Sequence, residues 1–207
     1  MAGSSKRRAV ARAMCLAEPA LALARCLLNP LVSKARKENR MNTVDRVATA
    51  MRESSLVLVT AESCTAGLIA ATLADVPGAG DLLDCAFVTY SPEAKMKCLG
   101  VSAKTLRLHN LTSEAVAREM ALGAARNSRA NVAISNTGVT DGTDDRIPAG
   151  TQCFAWVFKS GAADASPSVY SETVQFSGGR NAIRRASAEY ALERLIAYHE
   201  TWQAGLR

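Results

Sequence analysis

Leu58–Gly78 reads LVTAESCTAGLIAATLADVPG, and much of the architecture follows from it. An apolar run, placed at Leu56–Thr60 (LVLVT), has the length and β-branched content of a buried strand. It passes through Glu62-Ser63-Cys64-Thr65 into an alanine-rich segment with helical spacing, expected from about Ser63 to Ala74 and stopped by DVPGAG. A strand running into a helix is the first half of a βαβ unit, and a carboxylate, two hydroxyls and a thiol stand together at its corner.

The same alternation continues outward. CAFVTY (Cys85–Tyr90) is read as a second buried strand, NVAISNTG (Asn131–Gly138) as a third and TQCFAWVF (Thr151–Phe158) as a fourth. SVYSETVQFS (Ser168–Ser177) alternates, with Tyr170, Val174 and Phe176 on one face, as a half-exposed edge strand does. Helices are expected before the first strand, where Val44, Val47, Ala48 and Met51 share a face, and over LTSEAVAREMALGAARNS, with Thr112 or Ser113 as its cap. The last helix follows in NAIRRASAEYALERLIAYHE, with Ile183, Tyr190, Leu195 and Ile196 as its stripe. Helices interleaved with continuous apolar strands predict an α/β fold, a single three-layer α/β/α sandwich.

Composition bounds the rest. A chain of 207 residues, 48% hydrophobic, can bury one ordinary core and has no second block long enough for another. The net charge of +6 resides in residues 1–40, where nine Lys/Arg face two Glu; the remainder is nearly neutral. That basic segment has no interleaved aromatics, so a nucleic-acid arm is disfavoured. It is read as an extension, disordered or upstream of the functional start, ahead of a domain beginning at Met41. No apolar run approaches the roughly 18 residues of a membrane span. The six cysteines form no CxxC pair, so neither a disulfide framework nor a zinc site is expected, and a cytoplasmic location with reduced thiols is.

Ligands of open α/β sheets collect beyond the carboxyl ends of the strands. Three such exits carry polar clusters here: Thr60–Thr65, Thr89–Lys95 and Asn136–Gly138. Ser63 could be a plain helix cap or a nucleophile. A serine nucleophile needs a base, and His109 and His199, the only histidines, lie in a polar turn and near the C-terminus. Lys95 is the better base if the fold brings it beside Ser63 and burial lowers its pKa. Cys64 as nucleophile lacks a histidine partner.

TAESCTAGLIAATLADVPG, VTYSPEAKMKCLGV, TSEAVAREMALGA, NTGVT and FSGGRNAIRRASAEYALERL, in that order, resemble the C-terminal domain of the competence-damage-inducible (CinA) family from about Met41 to Tyr198. The resemblance implies a nicotinamide mononucleotide deamidase, which hydrolyses a carboxamide to nicotinic acid mononucleotide and ammonia without a metal or other cofactor, and it implies a homo-oligomer. It makes Ser63 the nucleophile, Lys95 the base, and Tyr90 the tyrosine of the base's motif. It places Glu62, Cys64, Thr65, Thr137, Gly138 and Arg180 around the substrate, with Cys64 and Thr65 amides holding the oxyanion and Arg180 the phosphate. A small-molecule nucleotide is thus the expected partner, with no membrane and no nucleic acid.

The chain departs from the family pattern in three places. Ala66 stands where a glycine is usual, Asp141, Asp144 and Asp145 enter the third exit loop, and Gly178-Gly179-Arg180 replaces Gly-Asp-Arg. A catalytically inactive member, acting as a nucleotide-binding or regulatory domain, is the alternative these departures leave open.

Overall fold

The computed structural model describes residues 43–142, 146–160 and 166–205. The expected extension over residues 1–40 lies outside them, as do Asp144 and Asp145. The elements are α1 (residues 43–53), β1 (Leu58–Glu62), α2 (Leu68–Ala74), β2 (Leu83–Val88), α3 (Pro92–Leu99), α4 (Ala103–Leu108), α5 (Glu114–Arg126), β3 (Val132–Gly138), β4 (Thr151–Phe158), β5 (Ser168–Gln175) and α6 (Arg180–Gly205). The strands form one sheet in the order β2-β1-β3-β4-β5. β1 pairs parallel with β2 and β3, and β4 pairs antiparallel with β3 and β5.

Side chains alternate across the central strands, and both faces are apolar, which is why these strands read as continuous hydrophobic runs. Leu58, Val132, Ile134, Phe154, Trp156 and Phe158 join residues of α1, α2 and α6 in one core. Val59, Ala61, Ala133, Cys153, Ala155 and Val157 join α5 in the other. The first face carries large rings; Trp156 is fully buried and donates its indole N–H to the Ala191 carbonyl at 3.0 Å. The second is built from small residues, so α5 lies close to its neighbours: a Cβ on Gly123 would come within 1.9 Å of the Leu99 carbonyl oxygen. The two layers of helices around one sheet are the expected α/β sandwich.

The topology concentrates three strand exits at one place. From β1 the chain reaches β2 through α2 on one face, then crosses by α3, α4 and α5 on the other face to β3, on the opposite side of β1. The C-terminal end of β1 is therefore the switch point, the usual crevice of an open α/β sheet. Parallel pairing sets Glu62 beside Val88 on one side and beside Asn136 on the other, so the ends of β1, β2 and β3 are level.

Two expectations need correction. β2 is not buried but is an edge strand with one partner, and Val88 is 53% exposed; an apolar run of six does not distinguish an edge from a centre. The helix after β1 starts at Leu68 rather than Ser63, because Ala66 and Gly67 adopt positive φ of 50° and 90°. Five residues, Ser63–Gly67, thus form a turn between strand and helix. Glycine would meet no steric penalty at position 66, whereas alanine in the left-handed region costs about 1–2 kcal/mol.

Candidate active site

Glu62 ends β1 fully buried, and its carboxylate turns toward α2. Oε2 accepts from the Ile69 amide at 3.1 Å, Oε1 from the Ala70 amide at 3.0 Å, and the Thr60 hydroxyl donates to Oε1 at 2.9 Å. An anion at a helix N-terminus meets both unpaired amides and the positive end of the helix dipole. Glu62 thus occupies the helix start that could otherwise have received a ligand, and it anchors the turn from one side. Replacing it with glutamine sets an amide NH₂ against backbone donors. The expected loss is about 1.5–3 kcal/mol of stability, the range for a hydrogen bond to a charged group, measured by urea unfolding.

Backbone hydrogen bonds fix the turn almost completely. The Ser63 amide donates to the Asn136 carbonyl at 2.9 Å, the Thr65 amide to Asn136 Oδ1 at 3.0 Å, and the Ala66 amide to the Ser63 carbonyl at 3.2 Å. The amides of Cys64 and Gly67 have no partner among the described residues. Of these two, the Cys64 N–H is the one next to Ser63 in the chain. The Thr65 amide, expected beside it as a second oxyanion donor, is already engaged by Asn136.

Lys95, on α3, is 1% exposed and reaches back to the turn. Its Nζ lies 3.0 Å from Ser63 Oγ, 2.7 Å from the Thr89 carbonyl oxygen and 3.2 Å from the Tyr90 carbonyl oxygen. Burial lowers its pKa from 10.5 to about 8. The placement has a local cause. Ser91 caps α3 by accepting from the Ala94 amide, Pro92 opens the helix, and Lys95 follows one turn later, pointing toward the end of β2. Ser63 itself is 9% exposed.

The other expected residues divide into two groups. Arg180, at the start of α6, donates Nη2 to the Tyr90 hydroxyl at 3.1 Å and Nη1 to Thr140 Oγ1 at 2.8 Å and Asp141 Oδ2 at 3.0 Å. It therefore joins the exit loops of β2 and β3, with Tyr90 58% exposed above the site. Thr137 is buried and donates its hydroxyl to the Leu111 carbonyl at 2.7 Å, a bond that ties β3 to the loop before α5. Gly138 leaves room for Gln152: an added Cβ would lie 2.4 Å from Gln152 Oε1. The Cys64 thiol is buried, accepts from Gln152 Nε2 at 3.3 Å, and has its pKa pushed above the ordinary value by burial, which disfavours the thiolate.

Two residues missed in the sequence complete the cradle. Gln152, fully buried on β4, accepts from Asn136 Nδ2 at 3.0 Å and donates to the Val139 carbonyl at 2.9 Å. Asn136 and Gln152 thus form an amide relay beneath the turn. Arg184, one helical turn beyond Arg180, donates Nε to the Cys64 carbonyl at 2.9 Å and Nη2 to the Thr65 carbonyl at 3.0 Å. The i, i+4 spacing of the two arginines was a visible signal that both occupy one face of α6. Among the described residues no group of His, Cys, Asp and Glu could hold a metal ion, and no helix is long and apolar enough to cross a membrane.

Comparison with known proteins gives the chain its relatives. Residues 40–199 match the CinA C-terminal domain. Nicotinamide-nucleotide amidohydrolase PncC of Escherichia coli K12 is 37% identical over 157 residues, 75% of this chain and 92% of that protein. A CinA-like protein of Syntrophobacter fumaroxidans is 40% identical over 144 residues, but the chain spans only 32% of its length. The crystal structure of a CinA superfamily protein from Klebsiella pneumoniae 700603 has a TM-score of 0.72 at 33% identity, covering 79% of this chain and 99% of that one. By sequence and by structure, the chain belongs to the CinA C-terminal domain family.

Proposed function

We propose that this chain hydrolyses the carboxamide of a nicotinamide nucleotide, nicotinamide mononucleotide foremost, to the acid and ammonia, with Ser63 as nucleophile and Lys95 as its base. One observation carries the reading: Lys95 Nζ is buried 3.0 Å from Ser63 Oγ, with two backbone carbonyls as its other partners. In the neutral amine two N–H bonds point to the Thr89 and Tyr90 carbonyls, which leaves the lone pair for the Ser63 hydroxyl proton. A pKa near 8 keeps a useful fraction of the amine neutral at physiological pH.

Ser63 Oγ attacks the carboxamide carbon as its proton passes to Lys95. The Cys64 N–H stabilises the oxyanion. Collapse expels ammonia, which takes the proton back from the Lys95 ammonium, and an acyl-enzyme remains on Ser63. Water, deprotonated by Lys95, then releases the acid. Arg180 and Tyr90 meet the phosphate, which takes the place of the Asp141 carboxylate on the guanidinium.

A second reading is a domain that keeps the fold without turning the nucleotide over, and that carboxylate favours it by competing with the phosphate for Arg180. The name of the Escherichia coli relative supports the first. Incubation of the purified chain with nicotinamide mononucleotide separates them: stoichiometric ammonia and acid are expected. Saturable binding with no ammonia would favour the second reading.

A further inference from the structure

We infer that Arg184 is a positioning residue for the reaction, holding the Ser63–Thr65 turn so that the Cys64 N–H faces the site; this rests on the proposed role of Ser63. Arg184 is 119 and 120 positions away from the two carbonyls it binds, and its two nitrogens meet consecutive peptide units. A guanidinium fork suits two parallel acceptors, whereas an ammonium offers one point of charge.

Following the peptide groups through the turn shows what those bonds do. The Cys64–Thr65 peptide is held at both ends, its carbonyl by Arg184 Nε and its N–H by Asn136 Oδ1. The Thr65–Ala66 peptide is likewise held, its carbonyl by Arg184 Nη2 and its N–H by the Ser63 carbonyl. Between Ser63 and Cys64 the carbonyl is engaged by the Ala66 amide. The Cys64 N–H therefore has its direction fixed by neighbours on both sides while making no bond of its own among the described residues. The turn also contains Ala66 at φ 50°, a conformation an L-residue leaves readily unless its surroundings hold it. Arg184 supplies that restraint from α6, while Asn136 and Gln152 meet the same turn from β3 and β4. Arg180, one turn earlier, reaches instead to Tyr90 and the β3 exit loop, so the two arginines serve different parts of the site.

The test compares wild type, Arg184→Met and Arg184→Lys. Each is followed by kcat and KM on nicotinamide mononucleotide, by thermal midpoint, and by the rate at which an alkyl fluorophosphonate labels Ser63. In labelling, Ser63 Oγ bonds to phosphorus, fluoride leaves, and the serine proton passes to Lys95. Misplacement of a reacting group by about 1 Å costs on the order of 100-fold, so Arg184→Met is expected to lower both kcat and labelling by about 10- to 100-fold while KM changes little. Added guanidinium ion at non-denaturing concentration should recover part of both rates, and lysine should recover less. Wild-type rates in Arg184→Met, or losses that follow the unfolded fraction and are not relieved by guanidinium, would overturn the role of Arg184 and leave that of Ser63 standing. Labelling of the wild type without turnover of the nucleotide would remove the substrate and leave Arg184 tested through labelling alone. A wild type that shows neither labelling nor turnover would overturn both.

Discussion

Ser63→Ala is expected to abolish amide hydrolysis, with kcat falling on the order of 10⁴-fold or more, while the protein remains folded. The side chain makes one hydrogen bond, with Lys95 Nζ at 3.0 Å, and a single bond of this kind is worth roughly 1–3 kcal/mol. Its neighbours keep their places without it, because the turn is fixed through backbone groups by Asn136 and Arg184. Ammonia release and nucleotide affinity measured on the same sample check this: turnover should vanish while binding persists within a few-fold. Residual turnover near the wild-type rate would remove Ser63 from the chemistry and direct attention to Cys64, whose buried thiol is otherwise held protonated.

Lys95→Met should have nearly as large an effect on rate and a distinctive effect on stability. Loss of a general base typically costs 10²- to 10⁴-fold in kcat, and the proposed mechanism uses the same group in deacylation, so the upper part of that range is expected. The stability effect follows from burial. Lys95 titrates near 8 in the folded protein and near its ordinary 10.5 in the unfolded chain. Between those values the unfolded chain binds more protons, so the lysine makes stability rise with pH through that window. A gap of this size corresponds to roughly 3 kcal/mol, most of which is withheld at neutral pH. Urea unfolding at several pH values is the measurement. Relative to the methionine variant, wild type should gain stability steadily from pH 8 to 10.5; parallel curves would mean that the lysine is not desolvated. The native protein therefore carries an unfavourable buried cation at pH 7 at the point where the proposed mechanism calls for a neutral amine.

Sequence and structure agree best where a signal is local. β4 has the bounds expected for it, Ser113 caps α5 by accepting from the Val116 amide, and Tyr170, Val174 and Phe176 share the face that packs on the aromatic core. Each of those expectations needs only periodicity or a capping residue. The start of α2 was misplaced because alanine at position 66 gives no hint of a left-handed turn, whereas glycine at both 66 and 67 would have suggested one. Glu62 was read near a helix start, yet its partnership with Ile69 and Ala70 depends on that turn, which sets the strand end beneath the helix. Gln152 and Arg184 are 88 and 120 positions from the Cys64 atoms they bind; the spacing of Arg184 from Arg180 marks a shared helix face, but nothing in either segment names the partner. Packing decides such partnerships, and motif order carried the Ser63 and Lys95 assignments only because both segments match one family pattern.

The departures at the β3 exit have a partial structural account. Asp141 is paired with Arg180 at 3.0 Å, with both side chains more than half exposed, so the pair contributes little to stability and can open for an incoming phosphate. Tyr90 and Thr140 remain to hold the guanidinium in place when it does.

The central claim is that a neutral Lys95 deprotonates Ser63, and the pH dependence of kcat/KM on nicotinamide mononucleotide tests it most directly. The base acts when unprotonated, so kcat/KM should rise with unit slope below about 8, bend there and level off above. A profile that is flat from pH 6 to 9, or one that falls through that range, would contradict the account.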